Sequence, residues 1–281
     1  MGQNFKAVRY FVKTSYDGTE YCGWQYQKNT ILTVQQVIQE GLSKLLRGDF
    51  KVLGCGRTDT GVHARGYFYH FDSETEIDIP WVEDKINRVL PPTIATHKII
   101  AVHDNAHARF DAYERSYIYR LRTKANPFDR TFAWYYPFGK LNIDLMNEAA
   151  SLLLKYTEFY PFCKISADVK TYICHLSKAE WTFDEENQVY EFRIISNRFL
   201  RGMIRLIVGT CIHLQRGRLS LADVKNVMDE QSRLVMDYSV PPQGLCLYDI
   251  KYPYIINDEY VPSAVLTRND VDISPKNSEL L

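Results

Sequence analysis

Residues 54–66 read Gly-Cys-Gly-Arg-Thr-Asp-Thr-Gly-Val-His-Ala-Arg-Gly, and the interpretation of the rest of the chain starts from this glycine-rich stretch. Glycine is favoured where the backbone needs a positive φ or where another molecule comes close, so the composition is atypical of a helix or a central strand. The stretch therefore predicts a loop that presents one carboxylate, Asp59, between Arg57 and Arg65. Taken alone, a solvated turn capped by Asp59 is the more common explanation of such a loop.

Composition leaves the class of partner open at the level of the whole chain. The 281 residues are 46% hydrophobic, which suffices for two modest domains or one large one. Lysine plus arginine equals aspartate plus glutamate, 34 each, so the net charge indicates no polyanionic partner. The distribution of charge is more informative, because residues 193–218 contain six arginines and no acidic residue. Such a run is typical of a basic groove.

The cysteines and the hydropathy pattern indicate the compartment. Six cysteines are scattered without a Cys-x-x-Cys pair, which predicts reduced thiols in a cytoplasmic protein and no disulfide framework. No apolar run approaches the roughly 18 residues that a membrane span needs. His103 and His107 are four residues apart, but no third ligand is evident nearby, so the sequence predicts no metal site.

Hydrophobic periodicity predicts an α+β chain with two lobes. Strands are expected at 7–14, 115–122 and 189–196, and helices after Thr33, from Pro80, after Asp144 and over 199–214. Ser220 and Asp223 approximate a capping box for one more short helix. The repeated order of strands and helices predicts a first lobe over 1–112, a second over 113–260, a cleft between them, and a loose tail over 261–281.

Two further clusters could carry chemistry. In the strand around residue 117, a period of two places Tyr117 and Tyr119 on one face, although two core tyrosines would give the same pattern. Near the start of an apolar helix, the four-residue spacing of Arg201 and Arg205 places both on one face. Arg205 is embedded among apolar residues and therefore needs a carboxylate partner, which leaves a purely structural ion pair as an alternative.

Residues 56–64 resemble the GRTDAGVHA signature of the TruA family of tRNA pseudouridine synthases. The resemblance continues in the same order over nearly the whole chain, through Tyr16-Asp17-Gly18-Thr19, Thr33-Val34-Gln35, His107-Ala108-Arg109-Phe110, Arg115-Ser116-Tyr117-Ile118-Tyr119, Met203-Ile204-Arg205 and Gly244-Leu245. Thr60 departs from a commoner alanine, and Arg201-Gly202 replaces a more usual His-His pair. The fold that this implies is an α+β pseudouridine synthase fold, with two similar, mainly antiparallel lobes and a central active-site cleft.

The resemblance also implies an activity and its residues. The expected enzyme is an isomerase that converts uridine to pseudouridine at positions 38, 39 and 40 of the tRNA anticodon stem-loop, without a cofactor or metal and as a homodimer. Asp59 would be the catalytic carboxylate, whether it attacks the sugar or the base or removes a sugar proton. Arg205 would keep Asp59 ionised and oriented, and Tyr117 would stack on the target base.

The remaining expected contacts concern the flipped nucleotide and the RNA backbone. Arg57 would fill the space left by the target nucleotide or hold that nucleotide, and Leu245 would form part of the apolar pocket wall. Further candidate phosphate contacts are Arg65, Arg109, Arg198 and Arg201.

Two other classes of protein stay open as alternatives. An RNA-binding protein of the same fold that has lost its activity would be expected to lack at least one of Asp59, Tyr117 and Arg205. A metal-dependent phosphotransfer enzyme would use Asp59 as a ligand, but the loop offers no second acidic residue to share a cation. The sequence does not indicate which of the three tRNA positions is preferred.

Overall fold

The computed structural model describes residues 7–27, 32–164, 169–233 and 238–262, and these form two compact units. The first unit comprises residues 7–113 and 249–262, and the second comprises the described residues between 114 and 248. The sequence assigns everything from 113 to 260 to the second lobe, whereas the structure returns the chain to the first unit at Asp249. Local patterns show that a strand begins near residue 244, but they do not show which unit its end joins. Residues 263–281 of the predicted tail lie outside the described residues.

Strands and helices are interspersed along the described residues. In chain order, the elements before residue 113 are β1 (Val8–Tyr16), α1 (Val34–Leu46), β2 (Leu53–Gly54), β3 (His63–Ser73), α2 (Ile79–Val89) and β4 (Ile94–Val102). The following elements are β5 (Glu114–Arg122), β6 (Trp134–Tyr135), α3 (Ile143–Leu153), β7 (Leu176–Asp184), β8 (Val189–Ser196), α4 (Met203–Gln215) and α5 (Leu221–Asp229). The chain ends with β9 (Leu245–Lys251), β10 (Ile255–Ile256) and β11 (Glu259–Tyr260).

In the first unit, three antiparallel strands lie in the order β4, β1, β3, and β2 pairs with the outer side of β3. Alternation along β3 points Tyr67 and Tyr69 to one face of the sheet and Phe68 and His70 to the other. The Trp24 ring stacks on Tyr67 with centroids 3.9 Å apart, so it lies on the first of these faces. This packing fixes the side of the sheet on which the glycine-rich stretch is held.

The helix starts in the first unit follow from short polar side chains. The prediction that Thr33 caps α1 is confirmed, since its hydroxyl accepts a hydrogen bond from the Gln36 N–H at 3.3 Å. The helix predicted from Pro80 begins one residue earlier, because Asp78 caps it and accepts from the Trp81 N–H at 3.1 Å.

In the second unit, β5, β8 and β7 form an antiparallel sheet with β9 beside β5, and β6 pairs with β5 in parallel. Ten residues of α4 are buried, which places this helix in the core of the unit. The predicted capping box of α5 is confirmed at Ser220 and Asp223. The expectation that Asp144 caps α3 is wrong, because Asn142 accepts from the Leu145 N–H at 3.1 Å and Asp144 lies in the first turn.

The start of α4 also differs from the prediction. The helix expected over 199–214 begins only at Met203, because Gly202 has a φ of 75° and interrupts the helical path. Arg201 therefore precedes the helix and does not share a helical face with Arg205. The predicted α+β fold class is confirmed. Within the described ranges, no helix combines the length and apolar character needed to cross a membrane.

Candidate active site

The loop that carries Asp59 is held at its backbone. The carbonyl of Gly56 accepts a hydrogen bond from the Tyr67 hydroxyl, that of Thr58 from the backbone N–H of Trp24 at 3.3 Å, and that of Asp59 from the backbone N–H of Val62 at 3.1 Å. Three carbonyls within four residues are therefore bonded, and two of the donors lie outside the loop. The Tyr67 hydroxyl comes from the face of the sheet described above, so β3 helps to position the loop.

The side chain of Thr58 adds a further anchor. It is buried, and its hydroxyl lies 2.9 Å from the hydroxyl of Tyr16 at the end of β1. His63, which follows the loop, is also buried, and its Nδ1 accepts a hydrogen bond from the Gly18 N–H at 3.0 Å. The supporting roles of Tyr16, Trp24 and Tyr67 are not evident from residues 54–66 alone. The sequence around Trp24 gives one signal, because Tyr21, Trp24 and Tyr26 form a short aromatic patch after Tyr16.

The glycines of the loop serve different purposes. A side chain at Gly54 would meet the Tyr67 hydroxyl at 2.2 Å and the Trp24 Nε1 at 2.4 Å, so the position is closed by packing. Gly61 has a φ of 76°, which favours glycine. At Gly56, in contrast, an added Cβ would meet nothing within 4 Å. Gly56 therefore leaves room for another molecule to approach the backbone, whereas Gly54 does not.

The charged side chains of the loop point outward to different degrees. Asp59 is half-buried, whereas Arg57 and Arg65 are exposed. The Nε of Arg57 donates to Oε1 of Gln25, an exposed residue next to Trp24. The loop and the start of β3 therefore present one partly shielded carboxylate and two accessible cations.

In the second unit, the two tyrosines of β5 have different environments. Tyr119 is completely buried, its hydroxyl donates to the Pro241 carbonyl at 2.9 Å, and burial raises the pKa of its phenol well above the usual value of 10. Tyr117 is only half-buried, and its ring meets Phe199 edge-to-face with centroids 5.2 Å apart. The alternative of two core tyrosines therefore holds for Tyr119 alone, and Tyr117 keeps an accessible ring.

Arg205 projects from the first turns of α4 and is half-buried. Its Nε donates to the Val240 carbonyl at 2.7 Å, and the Val240 N–H donates to the Arg205 carbonyl at 3.3 Å. Burial raises the pKa of the Tyr119 phenol, and the positive charge of Arg205 lowers that pKa by a smaller amount. These contacts fix the direction of the guanidinium within the second unit.

The other predicted residues of the second unit are Leu245, Arg198 and Arg201. Leu245 is buried at the start of β9, directly after Gly244, where an added Cβ would meet the Arg120 carbonyl at 2.6 Å. Arg198 is half-buried. Burial raises the pKa of the Cys174 thiol to about 11, and the positive charge of Arg198 offsets part of this increase. Arg201 is exposed, and its carbonyl accepts from the Lys164 N–H at 3.0 Å.

The structure thus divides the predicted site residues between the two units. Asp59 and Arg57 share one loop of the first unit, Arg65 lies near the start of β3, and Arg109 lies on a separate exposed turn of that unit. Tyr117, Arg205 and Leu245 belong to the second unit, as do Arg198 and Arg201. That the two sets act on one nucleotide stays a prediction. Within the described ranges, no group of three or more His, Cys, Asp or Glu side chains could hold a metal ion.

Comparison with known sequences then decides the family. The sequence profile for tRNA pseudouridine synthase matches residues 13–111 and 150–253. The chain belongs to the tRNA pseudouridine synthase family. The matched ranges of this family include the Asp59 loop, Arg109, Arg205 and Leu245, whereas Tyr117 lies between them.

Individual members of the family are similar over most of the chain. The sequence is 44% identical over 260 residues to tRNA pseudouridine synthase A of Bacteroides thetaiotaomicron, a match that covers 92% of this chain and 96% of the relative. The tRNA pseudouridine synthase A of Parabacteroides distasonis is 44% identical over 246 residues, with coverage of 87% and 96%. That of Chlorobium limicola is 35% identical over 247 residues, with coverage of 88% and 100%.

Proposed function

We propose that this protein isomerises uridine to pseudouridine at positions 38, 39 and 40 of the tRNA anticodon stem-loop, with Asp59 as its catalytic carboxylate. One observation carries the proposal. In a chain of the tRNA pseudouridine synthase family, a half-buried carboxylate projects from a loop whose carbonyls at Gly56, Thr58 and Asp59 are all hydrogen-bonded. Such a loop holds its carboxylate in place before the substrate arrives, which is what an attacking or proton-accepting group requires.

The reaction breaks the bond between N1 of uracil and C1′ of ribose and joins C1′ to C5. The hydrogen on C5 leaves as a proton and N1 gains a proton, so substrate and product have the same composition and no oxidant or reductant is consumed. In its ionised form, Asp59 either attacks the sugar or the base, or removes a proton from the sugar. The half-buried position favours this role because shielding from water strengthens the interaction of a fixed charge with the reacting atoms.

Arg205 and Tyr117 complete the proposed chemistry. The hydrogen bond from Nε of Arg205 to Val240 directs the guanidinium, and we assign its Nη atoms as donors to the Asp59 carboxylate. Tyr117 supplies a partly accessible ring, supported edge-on by Phe199, for stacking on the flipped base. Buried Leu245 forms part of the apolar wall of the pocket.

The arginines serve the RNA outside the reacting base. Arg57 is exposed at the loop and linked to Gln25, which suits a side chain that holds the flipped nucleotide or fills its place. Arg65, Arg109 and Arg201 are exposed and Arg198 is half-buried, and we assign all four to phosphate contacts. Such contacts give affinity and position without base identity, as expected for recognition of RNA shape.

A homodimer is part of the proposal, and four exposed aromatic residues that fall within eleven residues of sequence support it. We call them the aromatic surface: Phe128, Phe132, Tyr135 and Phe138 of the second unit, which are 90, 46, 50 and 68% exposed. Together they expose about 500 Å² of aromatic area, against the roughly 800 Å² per partner that a standard stable interface buries. Aromatic enrichment of this kind marks protein interfaces.

The six cysteines are free thiols, in accordance with the proposed cytoplasmic location.

The substitution Asp59→Asn tests the proposal. It keeps the size of the side chain and removes its charge, so release of tritium from tRNA labelled at uridine C5 is expected to fall by at least a hundredfold. Binding of tRNA is expected to stay within about twofold. Asp49→Asn, an exposed carboxylate of the same unit, is the matched control. Substantial turnover by Asp59→Asn would refute the assignment of Asp59.

The same assay separates the alternative classes of protein. An RNA-binding protein without activity would bind tRNA and release no tritium even with Asp59 intact. A metal-dependent enzyme would lose activity when a chelator removes divalent cations from pre-folded tRNA. We expect the wild-type protein to retain its activity under that treatment.

A further inference from the structure

A turn of the first unit, His107 to Asp111, presents two neighbouring exposed side chains, Arg109 and Phe110. Ala108, which directly precedes Arg109, is completely buried. The two end residues of the turn, His107 and Asp111, are half-buried. Phe110 is 61% exposed, so most of this large apolar ring faces solvent. Single exposed apolar side chains are common on protein surfaces, so the case for a role of Phe110 depends on how the turn is held and on what surrounds the ring.

The backbone of this turn is fixed by its own side chains. The His107 N–H donates to Oδ2 of Asp111 at 2.7 Å, and the Asp111 N–H donates to the His107 carbonyl at 3.1 Å. The N–H groups of Arg109 and Phe110 both donate to Nδ1 of His107, at 3.1 and 3.4 Å. Hydrogen bonds therefore join the two end residues of the turn to each other and its middle N–H groups to the His107 side chain.

The rest of the first unit holds the turn from below. The Ala108 N–H donates to Nδ1 of buried His70 at 3.2 Å, and the hydroxyl of Tyr252 donates to the Ala108 carbonyl. The hydroxyl of Tyr254 donates to Oδ2 of Asp111 at 2.6 Å. With these bonds, all five N–H groups of the turn have acceptors, so the exposed Phe110 is held at a fixed position.

The surroundings of the Phe110 ring resemble those of a stacking site. The His107 ring lies beside it, with centroids 4.2 Å apart, and the guanidinium carbon of Arg109 lies 5.5 Å above the ring centroid. A cation over an exposed ring is held more weakly than a stacked nucleobase. A base can therefore replace Arg109 over the ring while the long arginine side chain turns to a phosphate.

The turn and the segment after Asp59 meet different ends of β3. The turn is bonded to His70, which is seven residues beyond His63, and His63 directly follows Val62, whose N–H donates to the Asp59 carbonyl. At 3.3 Å per residue, β3 is roughly 23 Å long between His63 and His70. The inferred contact at Phe110 is therefore assigned to a nucleotide other than the one that reacts.

We propose that Phe110 is a stacking platform for an unpaired nucleobase of the RNA substrate, and that Arg109 binds an adjacent phosphate. The inference rests on the proposed function and adds to it a second point of RNA contact. Its consequence is separable from chemistry, because a remote contact stabilises the bound substrate and the transition state equally. Loss of the platform therefore raises KM and leaves kcat nearly unchanged.

Two substitutions of Phe110 separate stacking from simple apolar packing. Phe110→Leu keeps an apolar side chain but removes the ring, and it is expected to raise KM for tRNA about 5- to 150-fold with kcat within twofold of wild type. Phe110→Trp keeps a stacking face and is expected to keep KM within about threefold. Trp81→Leu, an aromatic that is 44% exposed on α2 of the same unit, is the matched control and is expected to change neither constant.

Salt dependence and thermal stability complete the test. Arg109→Gln is expected to reduce the slope of log Kd against log salt by about one, whereas Phe110→Leu is expected to shift Kd without changing the slope. The Tm of Phe110→Leu is expected to stay within about 2 °C of wild type, because the ring is mostly exposed. An unchanged KM and Kd in Phe110→Leu, or equal losses in Phe110→Leu and Phe110→Trp, would overturn the platform.

Failure of the platform and failure of the proposed function give different results. If the wild-type protein releases no tritium from labelled tRNA, the proposed function fails, and filter binding of tRNA still compares Phe110→Leu with wild type. If the wild-type protein is active and Phe110→Leu is indistinguishable from it, only the platform fails.

Discussion

Gly209 in the middle of α4 links the stability of the second unit to the position of Arg205. An alanine Cβ at this position would lie 1.6 Å from the Tyr238 carbonyl oxygen, whereas contacts below 3.0 Å are essentially never formed. The carbonyl would therefore have to move by about 1.4 Å. The same segment supplies Val240, which accepts from Nε of Arg205, and Pro241, which accepts from the Tyr119 hydroxyl. Gly209→Ala is thus expected to displace the acceptor that directs Arg205.

The magnitude follows from two opposing effects. Overpacking against backbone in a closed core costs about 1–3 kcal/mol and occasionally more. Replacing glycine by alanine inside a helix recovers about 1 kcal/mol. Because the clash is with a carbonyl and not with a flexible side chain, we take the upper end of the overpacking cost and expect a net loss of about 2 kcal/mol in the free energy of unfolding. For a chain of this size, Tm then falls by about 4–8 °C.

Gly41→Ala provides the matched control for this prediction. Gly41 also lies inside a helix, α1, but its added Cβ would meet only the Leu90 Cδ2 at 2.8 Å, and that methyl can move. Circular dichroism melts should therefore give Gly41→Ala a Tm close to wild type and Gly209→Ala a lower one. Tritium release below the melting transition should fall in Gly209→Ala alone. A Gly209→Ala protein with wild-type Tm and activity would refute the reasoning.

Two predictions concern pH and assembly. Burial lowers the pKa of His70 from 6.5 to about 4, with His107 and Arg9 adding to the effect against the nearby Asp72 and Asp111. Below about pH 6.5 the imidazole of His70 takes up a proton in the unfolded chain but not in the folded chain. The contribution of neutral His70 to the free energy of unfolding is therefore present above pH 6.5 and is lost as the pH falls towards 4. Urea unfolding of the wild-type protein should show that the free energy of unfolding decreases by about 2 kcal/mol between pH 7 and 4.5. A His70→Asn variant with the same pH dependence would contradict this prediction. For assembly, Phe128→Ser with Phe138→Ser is expected to convert a dimer to a monomer in analytical ultracentrifugation, and an unchanged sedimentation coefficient would exclude the aromatic surface as the interface.

The parts of the fold that could be predicted from the sequence depend on local interactions. Thr33 caps α1, and Ser220 with Asp223 forms the capping box of α5, because each signal is contained within four residues. The start of α4 could not be placed, since the interruption comes from the backbone of Gly202 at positive φ, which apolar periodicity does not report. The return of the chain to the first unit at Asp249 depends on contacts distant in sequence, which no local pattern records.

The features of the candidate site can likewise be separated into those that the sequence predicts and those that depend on distant contacts. The resemblance identified Asp59, and the structure adds what the sequence could not give, namely that Tyr67, Trp24 and Tyr16 hold its loop. A period of two placed Tyr117 and Tyr119 together, but only packing against Pro241 distinguishes a core tyrosine from an accessible one. The role proposed for Phe110 likewise depends on hydrogen bonds with His70, Tyr252 and Tyr254, which are distant in sequence and which no local pattern predicts.

Position-resolved mapping of pseudouridine in unmodified tRNA tests the central claim most directly. Transcripts with uridine at positions 38, 39 and 40 would be incubated with purified wild-type protein or with Asp59→Asn, and pseudouridine would be located by carbodiimide modification and primer extension. We predict pseudouridine at these positions with the wild-type protein and none with Asp59→Asn. Absence of pseudouridine there with the wild-type protein, or its equal formation by Asp59→Asn, would contradict the account.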